Sequence, residues 1–232
     1  MLQKKSWVQP FHDFLSLFLQ APCPLCQRST HQDLCATCQH QLQHCRWEGK
    51  PLVLQGGAPL IAWGRYTGSL KRLIAALKYE HQPHLARPMG GWLAETWLSE
   101  TQAPTRQGVA PIVVPIPLHA SRQQQRGFNQ AELIARSFCQ MTDYPLAPQG
   151  LVRLQATQAQ FELSAAERAR NLQDVFAIGP DWKGRRSAPS VILVDDIYTT
   201  GATVRSAMNT FRRQGIRVAA VVAVARAVKE EP

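Results

Sequence analysis

Two stretches of this sequence hold residue types whose spacing can do chemistry. In the first, Cys23-Pro24-Leu25-Cys26 and Cys35-Ala36-Thr37-Cys38 form a C-x2-C-x8-C-x2-C pattern. Two tight knuckles of this kind bring four thiolates to the corners of a tetrahedron, a donor set that suits Zn²⁺. Free or redox-paired thiols are the other use of such residues. Cys45 is a possible substitute ligand, and His31, His40 and His44 lie near enough in sequence to compete. A segment this short buries little core without a metal, so the ion is expected to be structural.

The second stretch is Val191-Ile192-Leu193-Val194-Asp195-Asp196-Ile197-Tyr198-Thr199-Thr200-Gly201-Ala202-Thr203. An apolar run leads into two adjacent carboxylates, then a hydroxyl-rich turn with one glycine, then a helix. This reads as an anion cradle: backbone N–H groups of the turn converge on one spot, and the helix N-terminus adds positive potential there. Thr199, Thr200 and Thr203 offer hydroxyl donors, and Gly201, with Ala202 after it, lets the backbone come close to a ligand. Asp195 and Asp196 repel a bare phosphate at contact but suit a neighbouring group that donates hydrogen bonds, such as a sugar diol. They are also the best guess for catalytic groups. Paired carboxylates after a strand also suit a metal ion, and a helix-capping turn without a ligand is the plainest use of the segment. The thirteen-residue order resembles the phosphoribosyl pyrophosphate (PRPP) motif of type I phosphoribosyltransferases.

Several elements must hold these residues in place. Val109–Pro115 reads as a short apolar strand, Asn129–Met141 as a helix with Ala131, Leu133, Ile134, Ala135 and Phe138 on its apolar side, and Ser190–Val194 as a buried strand. Gly201–Gln214 reads as a helix ended by Gly215, and Val218–Ala225 as a strand that is apolar throughout, as when both faces are covered. Ser164, with Glu167 three residues on, has the capping-box spacing of a helix start. Leu60–Trp63 is a further strand. Strands alternating with helices imply right-handed crossovers and a parallel sheet. The expected fold is therefore α/β, a parallel sheet flanked by helices and preceded by a small four-cysteine zinc module, and the resemblance of Val191–Thr203 to the PRPP motif implies that the sheet is type I phosphoribosyltransferase-like. Residues 1–20 form an N-terminal amphipathic helix carrying Trp7, Phe11, Phe14, Leu15 and Phe18 on one face, packed on the protein or docked on a partner. Residues 21–57 form the zinc-binding module and 58–232 the larger domain.

Bulk properties narrow the function. The chain has 232 residues, 45% hydrophobic and 18% charged, an ordinary globular mix. Its longest apolar run, Val218–Ala225, is far shorter than the roughly 20 residues a bilayer needs, so no membrane span is expected. Lys4 and Lys5 before Phe14–Leu19 loosely imitate a secretion signal, but His12 and Asp13 interrupt the run and no small-residue cleavage site follows. The expected location is cytoplasmic, where clustered cysteines serve metals rather than disulfides. Net charge is 26 − 16 = +10. This suits a polyanion partner, and equally a pyrophosphate-bearing sugar.

The chain as a whole resembles the ComF/GntX family, bacterial proteins linked to DNA uptake and utilisation. The carriers are Ala76-Leu77-Lys78-Tyr79, Val114-Pro115-Ile116-Pro117-Leu118, Gln125-Arg126-Gly127-Phe128-Asn129-Gln130, then Arg153, Thr157, Gln160, Leu163, Arg168, Asn171 and Phe176, and the loop above. The resemblance implies PRPP or a related phosphoribosyl ligand, with Mg²⁺ as its companion, and single-stranded DNA and other DNA-uptake proteins as partners. It places Pro115, Ile116 and Pro117 on a pyrophosphate-side loop, with Lys78 and Arg126 as cations facing the pyrophosphate and Arg153 and Arg168 on a hood or flexible loop. Many relatives carry a second Cys pair after the first four; here only Cys45 remains, which implies one zinc per chain. Activity as a phosphoribosyltransferase on a nucleobase or other acceptor, and a non-catalytic PRPP-sensing adaptor, are the two other implied roles. Trp47 and Trp63 are either stacking surfaces or packing residues, and Asn129 and Gln130 are expected to cap the helix after them.

Overall fold

The computed structural model describes residues 21–101, 110–154, 175–183 and 190–228. In chain order these form β1 (Ala21–Pro22), β2 (Ser29–Thr30), α1 (Ala36–Gln43), β3 (Leu52–Val53), β4 (Pro59–Arg65), α2 (Gly68–Tyr79), α3 (Ala86–Thr101), β5 (Ile112–Pro115), α4 (Ala120–Arg126) and α5 (Gln130–Thr142). The chain continues with β6 (Leu151–Arg153), β7 (Phe176–Ile178), β8 (Val191–Tyr198), α6 (Ala202–Arg213) and β9 (Val218–Arg226). The expected N-terminal helix and the Ser164–Glu167 cap, together with Thr157, Gln160, Leu163, Arg168 and Asn171, lie outside the described residues.

Five strands make the central sheet in the order β3-β4-β9-β8-β5. β4, β9, β8 and β5 run parallel, and β3 is antiparallel to β4 at the edge. The inner strands are apolar on both faces because helices cover both. Ile61, Val113, Ile192, Val194, Val222 and Val224 meet α2, α3 and α5 on one side. Leu60, Val114, Leu193, Val221 and Ala223 meet Val204, Ala207 and Phe211 of α6 on the other. α3 and α5 cross closely: a Cβ on Gly90 would lie 2.5 Å from the Ile134 carbonyl oxygen and 2.5 Å from Ser137 Cβ. The α/β class, the parallel sheet and its helical covering are as the strand and helix periodicity implied.

The cysteine-rich segment does not stand off from this body. Cys23, Leu34, Cys38 and Leu42 are buried in the same apolar cluster as Leu70, Leu73 and Met89, and Trp47 N donates to the Trp63 carbonyl at 2.9 Å. Trp63 is 2% exposed and stacks on Trp92 with ring centroids 4.8 Å apart, so it packs and offers no stacking surface. Among the described residues no helix is long and apolar enough to cross a membrane.

Three features differ from the sequence expectation. β8 does not stop at Val194 but continues through both carboxylates to Tyr198, because Asp195, Ile197 and Tyr198 stay paired with Ala223, Ala225 and Arg226 of β9. The acids therefore sit on the strand rather than after its end. α4 was not foreseen, since its residues make no apolar stripe and all but Arg126 are exposed. The antiparallel β6–β7 pair was also not foreseen; it carries Arg153 at the end of its first strand.

Candidate ligand-binding and metal sites

The four-thiol group is assembled by local geometry. Cys23 and Cys26 lie in the turn between β1 and β2, where Cys26 N and Gln27 N both donate to the Cys23 carbonyl. Cys35 is the N-cap residue of α1 and Cys38 lies in its first turn. The helix N-terminus favours negative charge there. The Sγ atoms of Cys23, Cys26, Cys35 and Cys38 all lie within 4.8 Å of one another, with Cys26 and Cys35 at 3.5 Å. Zn–S bonds of about 2.3 Å place the sulfurs of a tetrahedral ion about 3.8 Å apart, so the group fits a metal such as zinc. Burial raises the Cys23 thiol, but N–H groups of Cys35, Leu25 and Cys26 outweigh it and bring it down to about 7. Burial, and then hydrogen bonds from the other three thiols, push Cys38 up. Cys45 stands apart: its Sγ donates to the Thr67 carbonyl at 3.5 Å. His40 and His44 pack edge to face on each other at 5.1 Å. Neither these histidines nor His31 belongs to the thiol group.

The second site lies at the carboxy-terminal end of β8. Thr199, Thr200, Ala202 and Thr203 are exposed. Gly201, at φ 73°, is the N-cap of α6, which begins with no side-chain cap and no acidic residue in its first turn. The first N–H groups of a helix have no partner within the helix, so this turn presents donors to an anion. A Cβ on Gly201 would come within 2.3 Å of the Tyr198 hydroxyl, which explains the glycine: the tyrosine lies under the turn. Arg205 Nη1 donates to the Thr200 carbonyl at 2.8 Å and fixes the turn from the helix side.

The two acids differ. Asp196 is 4% exposed and forms an ion pair with Lys78 of α2. Asp195 accepts a hydrogen bond from the Asp196 backbone N–H at 2.9 Å. Burial, and then the adjacent Asp196 charge, hold its carboxyl well above the usual range, with Lys78 opposing.

Residues assigned to the pyrophosphate side converge on the same end of the sheet. The Arg126 guanidinium lies over the Tyr79 ring at 5.4 Å and donates to Gln130, and Tyr79 follows Lys78 directly. Pro115 and Ile116 are buried. Ile116 N donates to the Val194 carbonyl at 2.9 Å, and its own carbonyl accepts from Asn129 Nδ2 at 3.1 Å. These two residues thus set the wall's shape without free donors, while Pro117 is half-buried at the rim. Asn129 caps α5 by accepting from Ala131 N, as expected. Sequence reasoning missed Arg205, and it named Tyr198 and Tyr79 within their motifs without giving either a contact.

A mostly parallel sheet covered on both faces, with an inner strand ending in paired acids and a hydroxyl turn, and four close cysteines packed on its flank, defines an α/β protein with a thiol group that could hold a metal. No family model matches the sequence. Known proteins do. DNA utilization protein YhgH of Salmonella typhi is 30% identical over 203 residues, covering 83% of this chain and 85% of the relative. Competence protein F of Haemophilus influenzae is 29% identical over 230 residues, covering 90% and 99%. Competence protein ComFC of Bacillus subtilis is 27% identical over 196 residues, covering 83% and 72%. The chain belongs to the ComF/GntX family. Among solved structures, UMP synthase of Leishmania donovani aligns at TM-score 0.38 and 16% identity over 83% of this chain and 32% of that one. Adenine phosphoribosyltransferase of the same organism aligns at 0.38 and 13% over 84% and 70%.

Proposed function

We propose that the protein serves DNA uptake or utilisation in the cytoplasm, binding single-stranded DNA and a phosphoribosyl ligand of the PRPP type through residues 195–203. One observation carries this reading: two residues after the Asp195–Asp196 pair, exposed Thr199 and Thr200 and a buried Gly201 turn the chain into a helix with no side-chain cap. The names of the relatives, competence and DNA-utilisation proteins, agree with it.

In this reading the turn's N–H groups and the hydroxyls of Thr199, Thr200 and Thr203 hold the 5-phosphate. Asp195 and Asp196 accept from the ribose hydroxyls. Lys78 and Arg126 lie on the pyrophosphate side, where cations stabilise charge that builds on a leaving group. Mg²⁺ accompanies the pyrophosphate, as hard phosphate oxygens suit it. Cys23, Cys26, Cys35 and Cys38 hold one structural zinc. The basic surface, +10 overall, supplies phosphate contacts to a strand.

The test is calorimetric titration with PRPP and Mg²⁺, with and without an oligonucleotide. Micromolar binding is expected. The double variant Asp195→Asn, Asp196→Asn should weaken it at least tenfold while the fold persists; unchanged affinity would remove the diol assignment. Pyrophosphate released in the presence of a nucleobase would establish a true transferase. PRPP binding with neither release nor salt-dependent strand binding would favour a sensing adaptor.

A further inference from the structure

Tyr79 is the exposed aromatic residue nearest in sequence to the paired acids' partner, and no role described so far uses it. It is 73% exposed, unlike Leu73, Ile74 and Leu77, which α2 buries. Two routes connect it to the proposed sugar site. Through the chain, it adjoins Lys78, whose ammonium pairs with Asp196. Through contacts, Arg126 lies over its ring at 5.4 Å and bonds to Gln130. The preceding Asn129 holds the Ile116 carbonyl, and Ile116 N holds the carbonyl of Val194, the residue before Asp195. An aromatic ring with one face under a guanidinium and the rest open to solvent is a stacking platform. Bases stack on such rings whatever their identity, because each has a π-face.

We infer that Tyr79 is a platform for a nucleobase, so that the ribose 5-phosphate taken by the loop is the terminal unit of a 5′-phosphorylated nucleotide. The inference rests on the loop reading above and adds the third part of the ligand: phosphate on the turn, sugar on the acids, base on Tyr79. A free nucleoside monophosphate and a 5′-phosphorylated strand end share this chemistry.

The full-length protein is titrated with ribose 5-phosphate, adenosine 5′-monophosphate and a 5′-phosphorylated pentathymidylate. The unmutated protein should bind both base-bearing ligands more tightly than ribose 5-phosphate, by roughly 5- to 100-fold, the worth of one stacked base. Tyr79→Ala should erase that advantage and leave ribose 5-phosphate affinity unchanged; Tyr79→Trp should keep it. A loss confined to the pentathymidylate identifies a strand end as the natural ligand, and a loss for both ligands includes free nucleotides. Equal affinity for all three ligands in the unmutated protein overturns the platform. So does an advantage that survives Tyr79→Ala, or an equal loss for all three. Should ribose 5-phosphate fail to bind the unmutated protein, the loop reading falls. Tyr79 is then judged on the base-bearing ligands alone, and unchanged affinity on Tyr79→Ala overturns it as well.

Discussion

The thiol cluster and the carboxylate turn solve opposite problems. The four cysteines lie within sixteen consecutive residues, two of them fully or nearly buried, and one turn and one helix start are enough to gather them. The proposed ligand end of β8 draws on α2, β5, α4, β8 and α6, and the hydroxyls of the proposed phosphate turn, on Thr199, Thr200 and Thr203, belong to exposed residues. A structural site closes on itself from local chain. A site for a ligand that comes and goes keeps its donors open and takes its counter-charges from distant elements.

The strongest way to break this contrast is at the thiols. Cys38→Ser should abolish metal binding and unfold the module, since zinc contributes about 10–16 kcal/mol in comparable small sites. Elemental analysis and thermal melting check it, and unmutated protein free of zinc would end the structural-metal reading. Next comes the ion pair. Lys78→Met leaves Asp196 buried without its cation and should cost about 3–5 kcal/mol in urea unfolding. Lys78→Met with Asp196→Leu should recover most of it; a double variant no better than the single would show that the pair is not the cause.

Asp195 sharpens the contrast through pH. Its carboxyl is raised in the folded protein, so the folded state holds a proton that the unfolded state has released above about pH 3.9. Stability from this group is full below that value and is lost as pH rises toward the folded value, by at most about 1.4 kcal/mol per pH unit. Asp195→Asn should therefore stabilise at pH 7 and make little difference near pH 3.5, as the difference between the two proteins' unfolding curves. A difference that grows on acidification would reverse the assignment. Gly201→Ala is the mildest change. Its left-handed φ of 73° costs an L-residue about 1–2 kcal/mol, and its methyl displaces Tyr198, so ligand affinity should fall further than stability does. Calorimetry set beside thermal melting separates the two.

Much of this was legible because it is local. The Cys23–Cys38 spacing and the order Val191–Thr203 name their chemistry without a fold, and the alternation of apolar runs and helical stripes gives the parallel sheet. What was not legible is non-local. Aspartate is a poor strand former, so only pairing with Ala223 and Ala225 of β9 extends β8 through Asp195 and Asp196. The partnership of Lys78 with Asp196 joins distant parts of the chain. Helix α4 has no apolar face to announce it. Tyr79 ends a stripe of Leu70, Leu73, Ile74 and Leu77, and whether such an aromatic turns inward or outward is decided by what packs beyond the helix end.

α2 has a consequence for the molecule as a machine. It starts against the metal module, where Ser69 Oγ donates to Gln41 and Cys45 reaches the Thr67 carbonyl, and its last turn delivers Lys78 to Asp196. Twelve residues make a strut about 18 Å long. One rigid helix thus sets the spacing between the thiol-rich segment and the buried Lys78–Asp196 pair, and neither can shift along its axis without the other.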